Sequence, residues 1–208
     1  MGQEFIYEDE WLLAVNKPAG ILVIPTPRKE RHTLTNILNA RLENKGVSYR
    51  LHPCHRLDRE TSGVIIYAKG KGTQKKMMEL FRERKVKKTY LALVRGSSLP
   101  AQGQINYPIL GQSASTRYIL VEKRKDFSII KVMPLTGRTN QIRIHFNRMG
   151  WPILGESKYA FRRDFPVKAK RLCLHALDIE FPHPVNGRHM RLEAKLAPDL
   201  EDFLEKHP

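Results

Sequence analysis

Cysteine is nearly missing: Cys54 and Cys173 are the only two in 208 residues. That is too few for a disulfide framework and makes a reducing cytoplasm the natural setting. No apolar run approaches the roughly 18 residues of a spanning helix, and no secretory signal is present. The start MGQEFIYEDE is acidic and lacks the Ser or Thr that myristoylation wants at position six, which argues against a membrane surface. Repeats, linkers and low-complexity tracts are missing too. Acidic residues are scarce, 21 Asp plus Glu against 37 Lys plus Arg, for a net charge of +16. Such an excess attracts polyanions and repels further copies of the chain, so nucleic acid is the first partner to consider and a monomer is expected.

What is present is globular. Hydrophobic residues make up 41% of the chain, interleaved with charge almost everywhere, which suits one compact domain over 1–208. Ile6 to Val15 reads as two strands about a turn at Glu8 to Glu10, closed by the NKPAG turn; ILVIPTP resumes an extended course that Pro25 and Pro27 stop. Leu34, Ile37, Leu38 and Leu42 follow helical spacing, with Thr33 as N-cap and Gly46 as terminator. GVIIYAK suits a central strand, and a helix near Gln74 to Arg84 follows. TYLALVRG, RYILVEK and FSIIKVMPL are three further strands whose neighbours favour antiparallel pairing. TNQIRIHFNRMG fits a strand or a helix; caps at Thr139 and Gly150 favour the helix. LHALDIEF is a strand, and Pro198 opens a short helix. The class is α+β.

The stretch HPCHRLDRETSGV, His52 to Val64, concentrates chemistry. His52, Cys54 and His55, with distant Cys173 and His175, are zinc-ligand types, but the spacing lacks the repeated units of structural zinc sites. The alternative is packing beside a loop. Asp58 lies between Arg56 and Arg59 on a polar turn ahead of a buried strand, a rigid mount for a reactive carboxylate. On the residues alone, an Asp in such a place is more often a turn or capping residue. Basic clusters at Arg82 to Lys88, at Lys123 to Lys125 and at Arg162 to Arg171 would each alone be a solvated face; together they favour polyphosphate binding.

Three separated segments are jointly more specific: HRLDRETSG at 55–63, RKVKKTYLALVRG at 84–96 and LTGRTNQIRIHFNRMGWPILGESKYA at 135–160. With them the chain resembles the RluA family of RNA pseudouridine synthases, from the NKPAG turn to LHALDIEFPHP. The resemblance implies that family's catalytic fold, a central, mostly antiparallel (mixed), bent sheet flanked by helices with an RNA-binding cleft. It implies an enzyme that breaks the glycosidic bond of a uridine in RNA, turns the uracil and rejoins it through carbon 5, with no metal and no cofactor. Asp58 would be the essential carboxylate, attacking the sugar or removing a sugar proton, and Arg138 would pair with it. Tyr90 would lie against the flipped uracil, and Arg56 would fill the space that the base leaves. Leu57, Thr61, Ile142 and Leu174 would line the uracil site, while Arg84, Lys87 and Lys88 would contact RNA. Asn140 departs from the family, which more often has His there, and puts a local hydrogen bond in question. No room precedes residue 6 for an extra N-terminal RNA-binding domain, so the basic surface of the catalytic domain is expected to find the RNA unaided; the resemblance to the short single-domain form implies a stem-loop of ribosomal or transfer RNA as substrate. The competing readings are a non-catalytic RNA-binding protein on this scaffold and a zinc nucleobase enzyme, whose His-x-Glu and Cys-x-x-Cys signature is missing.

Overall fold

The computed structural model describes residues 4–161, 163 and 165–208. It divides into two compact units, Met1–Lys87 with Ala176–Lys195, and Lys88–His175 with Leu196–Pro208. Ten strands and four helices among the described residues make an α+β chain.

The first unit is built on β1 (Glu4–Glu8), β2 (Leu12–Lys17), β3 (Leu51–Pro53) and β4 (Ser62–Lys69). The Ala176–Pro182 stretch of β9 (Leu174–Pro182) and β10 (His189–Glu193) complete it. The pairings β1–β2, β2–β4, β3–β4 and β9–β10 are all antiparallel. The β1–β2 turn closes on Asp9, whose carboxylate accepts from the backbone N–H groups of Trp11 and Leu12 at 2.8 and 2.7 Å. β4 is buried from Ser62 to Ala68, as a run of β-branched and aromatic residues without polar alternation requires. Helix α1 (Leu34–Asn44) is capped by Thr33, whose hydroxyl accepts from Asn36 N–H, and α2 (Lys71–Arg82) packs on β4. ILVIPTP does not form a strand: Leu22 makes one isolated bridge to Thr33, and the prolines deny the segment a ladder.

In the second unit β5 (Lys87–Arg95) pairs with β8 (Phe127–Pro134), β8 with β7 (Thr116–Lys123) and β7 with β6 (Gln102–Ile105), again antiparallel. Helix α3 (Gln141–Arg148) packs on β7 and β8. The TNQIRIHFNRMG segment is thus a helix, but its N-cap is Asn140 in a left-handed conformation (φ 54°) rather than Thr139, and no side-chain cap bond forms. Helix α4 (Pro198–Lys206) begins at its proline and is tied down at both ends. Arg171 grips Asp199 in its first turn with two bonds of 2.5 and 2.8 Å, and Arg124 donates to the carbonyls of Leu204, at 2.6 Å, and His207. Two arginines of the basic clusters therefore serve the fold, while Arg162 lies outside the described residues.

Gly63 decides how closely β4 and β9 approach. Its φ is +113°, and a Cβ there would sit 2.2 Å from the carbonyl oxygen of Ala176. Gly63→Ala should destabilise the protein by roughly 2–5 kcal/mol, the sum of overpacking and a left-handed backbone penalty. Chemical denaturation checks this; a change under about 1 kcal/mol would mean that the strands separate at little cost.

Candidate active site

The HRLD loop of the first unit is fixed from beneath by a buried lysine. Lys17, at the end of β2, is fully buried, and its ammonium donates to the carbonyls of Pro18, Ile21 and Arg59 at 2.9, 2.8 and 3.1 Å. Gly20 N–H shares the Arg59 carbonyl at 2.8 Å. The NKPAG turn and the residue after Asp58 are thus fastened to one cation, whose three donors match three acceptors. Asp58 itself is half-buried, and its carbonyl accepts from Thr61 N–H at 3.2 Å, closing a turn. Leu57 and Thr61 are buried and Arg56 is exposed. The Thr61 hydroxyl is buried with no hydrogen-bond partner among the described residues, which costs about 1–3 kcal/mol.

His55 has structural work, and both cysteines are buried. His55 Nε2 accepts from Ile66 N–H at 3.1 Å, which fixes that nitrogen as unprotonated. Burial pushes the thiols of Cys54 and Cys173 up to about 12, far from thiolate chemistry. Among the described residues no group of three or more His, Cys, Asp or Glu side chains could hold a metal ion.

In the second unit Tyr90, on β5, is buried opposite Val132, and Ile142 and Leu174 are buried as well. Arg138 is exposed and held by the main chain on both sides. Its N–H donates to Gln141 Oε1 at 3.0 Å, its carbonyl accepts from Gln141 N–H at 3.1 Å, and its Nε donates to the Ser113 carbonyl at 3.1 Å. Gln141, itself buried, is the centre of a directed chain. Its Oε1 also accepts from the Thr136 hydroxyl at 2.7 Å, and its Nε2 donates to Ser115 O and Thr116 Oγ1, both at 2.9 Å. His145, one turn along α3, completes it. Nε2 lies 2.9 Å from the Tyr107 carbonyl and must donate, so Nδ1, 2.9 Å from Thr116 Oγ1, must accept. Burial lowers the pKa of His145 and so favours this neutral form.

A second buried pair holds the segment after α3. Arg143 meets Glu156 with two bonds of 2.7 Å. Burial alone would raise the Glu156 carboxyl, but Arg143 and the N–H groups of Lys158 and Tyr159 outweigh it and keep it below the usual range. Asn140 belongs to this network: its Oδ1 accepts from Arg143 Nη1 at 3.3 Å and its Nδ2 donates to the Tyr159 hydroxyl at 2.9 Å. The hydrogen bonds at this position are therefore made with asparagine present.

Of the basic candidates, Arg84 and Lys87 are exposed on the first unit. Arg84 ends α2 with φ +59°, where glycine is usual. Lys88 is half-buried in the second unit, 3.9 Å from where a Cβ on Gly137 would stand, and desolvation lowers its pKa. Sequence reasoning missed Lys17, Gln141, His145 and the Arg143–Glu156 pair. The spacing of Gln141 and His145, four apart on one face of the helix, was the one available signal.

The RNA pseudouridylate synthase family matches residues 11–148, a span containing Asp58, Tyr90 and Arg138. The dual-specificity RNA pseudouridine synthase RluA of Haemophilus influenzae is 33% identical over 208 residues, covering 92% of each chain. An uncharacterized RNA pseudouridine synthase of Chloroflexus aurantiacus is 36% identical over 207 residues; this chain spans 92% of its own length and 65% of that relative's. Among solved structures, human RNA Pseudouridylate Synthase Domain Containing 4 aligns with a TM-score of 0.84 at 26% identity, covering 98% of this chain and 92% of that one.

Glu156→Gln should cost about 3–5 kcal/mol, because it leaves the Arg143 guanidinium buried without its counter-charge. Since the Glu156 pKa lies below its unfolded value, the difference from the parent should be full above the ordinary carboxylate range and shrink as the pH falls through it. Urea denaturation at neutral and acidic pH checks this; equal differences at both would place the stabilisation outside the ion pair.

Proposed function

The chain belongs to the RluA-type family of RNA pseudouridine synthases, and from that premise we propose that it converts uridine to pseudouridine in structured ribosomal or transfer RNA, with Asp58 as the reacting carboxylate. The observation that carries this reading is the presence of HRLD, KTY and TGR together, within a match that covers nearly the whole of both chains. A scaffold retained only for binding RNA has no need of all three.

In the proposed reaction the N1–C1′ bond of the uridine breaks, the uracil turns, a C5–C1′ bond forms, the hydrogen on carbon 5 leaves as a proton to solvent and N1 takes up a proton, so that the net change is an isomerisation. Asp58 attacks the sugar or takes a sugar proton; both routes need an ionised carboxylate beside a cation. Arg138 supplies that cation. A guanidinium carries five donors, of which the Ser113 carbonyl takes one, so bidentate engagement of a carboxylate is compatible with the observed bond. Tyr90 stacks on the flipped uracil, worth about 1–3 kcal/mol against the few kcal/mol that unstacking costs. Ile142, Leu174 and Leu57 are buried apolar side chains suited to the uracil site, and the unpartnered Thr61 hydroxyl is available for a bond to the uracil. Arg56, exposed two residues before Asp58, takes the place of the extruded base, and Arg84, Lys87 and Lys88 engage the backbone. The chain acts as a monomer in the cytoplasm on a stem-loop, without a cofactor. No helix among the described residues is long and apolar enough to cross a membrane.

Unmodified ribosomal and transfer RNA transcripts carrying tritium at carbon 5 of uridine test the reading. The parent should release tritium, with or without a chelator, and Asp58→Asn should fold, bind RNA and release none. Tritium release by Asp58→Asn at the parent's rate would overturn the role of Asp58. A parent that binds RNA yet releases nothing from any transcript would favour the binding protein.

A further inference from the structure

The hairpin between β6 and β7 breaks local rules with no visible return. Ile109 and Gln112 exchange backbone hydrogen bonds of 2.9 and 3.0 Å, which leaves Leu110 and Gly111 as a two-residue loop. Both have positive φ, 50° and 74°. Such a loop favours Asn-Gly, because asparagine tolerates the left-handed region and leucine does not. Leu110 is nevertheless 94% exposed, so no burial offsets the strain or the wetted side chain. An apolar residue held in a strained conformation and presented to solvent is a reason to look for an external partner.

The stem of this hairpin is tied to the candidate active site of its own unit. Arg138 Nε donates to Ser113 O, and His145 Nε2 donates to Tyr107 O. Tyr107 is itself 41% exposed, and the Arg148 guanidinium lies 3.6 Å from its ring centroid. Aromatic and guanidinium planes beside a projecting aliphatic tip suit nucleic-acid bases and phosphates, as does the +16 chain.

We propose that Leu110 is an apolar wedge that enters the base stack of the substrate RNA next to the reacting uridine, with the Tyr107–Arg148 stack supporting it. The inference rests on the function proposed above and adds to it the element that reads folded against unstacked RNA. An apolar residue at a step beside the target weakens the stacking that holds the uridine in, so part of the extrusion cost is met by the hairpin.

Leu110→Asn separates wedge from scaffold, since asparagine suits the turn while losing the apolar tip. It should melt at the parent temperature or above, bind the tritiated transcripts about tenfold more weakly or worse, and lose kcat/KM through KM, on the scale of one stacked base. Leu110→Met should restore most of the loss. Parent-like binding and KM in Leu110→Asn, with the parent releasing tritium, would overturn the wedge alone, as would a loss confined to binding of another protein. A parent that neither binds RNA nor releases tritium would overturn the underlying function, and the wedge with it.

Discussion

A buried polar group must have its hydrogen bonds made inside the protein, and in each unit one such group fastens the loop that carries the proposed chemistry. In the first unit it is the Lys17 ammonium, seated on the carbonyls of Pro18 in the NKPAG turn, of Ile21 just past it and of Arg59 after Asp58. In the second it is the Gln141 amide, which clasps Arg138 through its own main chain and side chain and ties it to Thr136, Ser115 and Thr116. A side chain with all its donors and acceptors committed has one low-energy orientation, so the loops it holds are fixed too. That is the property a catalytic loop needs, because small displacements are costly to catalysis.

The same accounting sorts the charges of a very basic chain. Arg124 and Arg171 are committed to α4, and Arg143 to Glu156, where desolvation is offset by two-pronged bonding. They were indistinguishable in composition from Arg56, Arg84 and Lys87, which remain exposed. Charge count thus pointed to the class of partner, while only the structure separates arginines committed to the fold from arginines left exposed.

Much of the fold was legible because its signals are local. The Thr33 cap, the buried β4 run and the proline at the start of α4 need only neighbours in sequence. The short strands β3 and β6 were not, because three and four residues are too few for a period to emerge, and β10 went unread as well. The cap of α3 is one residue later than residue type suggests: Thr139 is the better capping type, but Asn140 tolerates the left-handed conformation found there and bonds Arg143 and Tyr159. For the site, the motifs pointed to Asp58, Tyr90 and Arg138, whereas the supports of the loops lie far along the chain. Thr116 is 25 residues from Gln141, and Tyr107 is 38 from His145. No periodicity reports a contact of that kind.

The central claim is that Arg138 works because Gln141 holds it. The direct measurement is steady-state tritium release by Gln141→Leu, which fills similar space and keeps the main-chain bond to the Arg138 carbonyl, but loses the side-chain bond to Arg138 N–H and those to Thr136, Ser115 and Thr116. The account predicts a kcat reduced roughly 10–100-fold with KM for the RNA little changed, alongside a lower melting temperature. A variant that melts earlier yet turns over at the parent's kcat would contradict it, leaving Gln141 a contributor to stability and Arg138 positioned by something else.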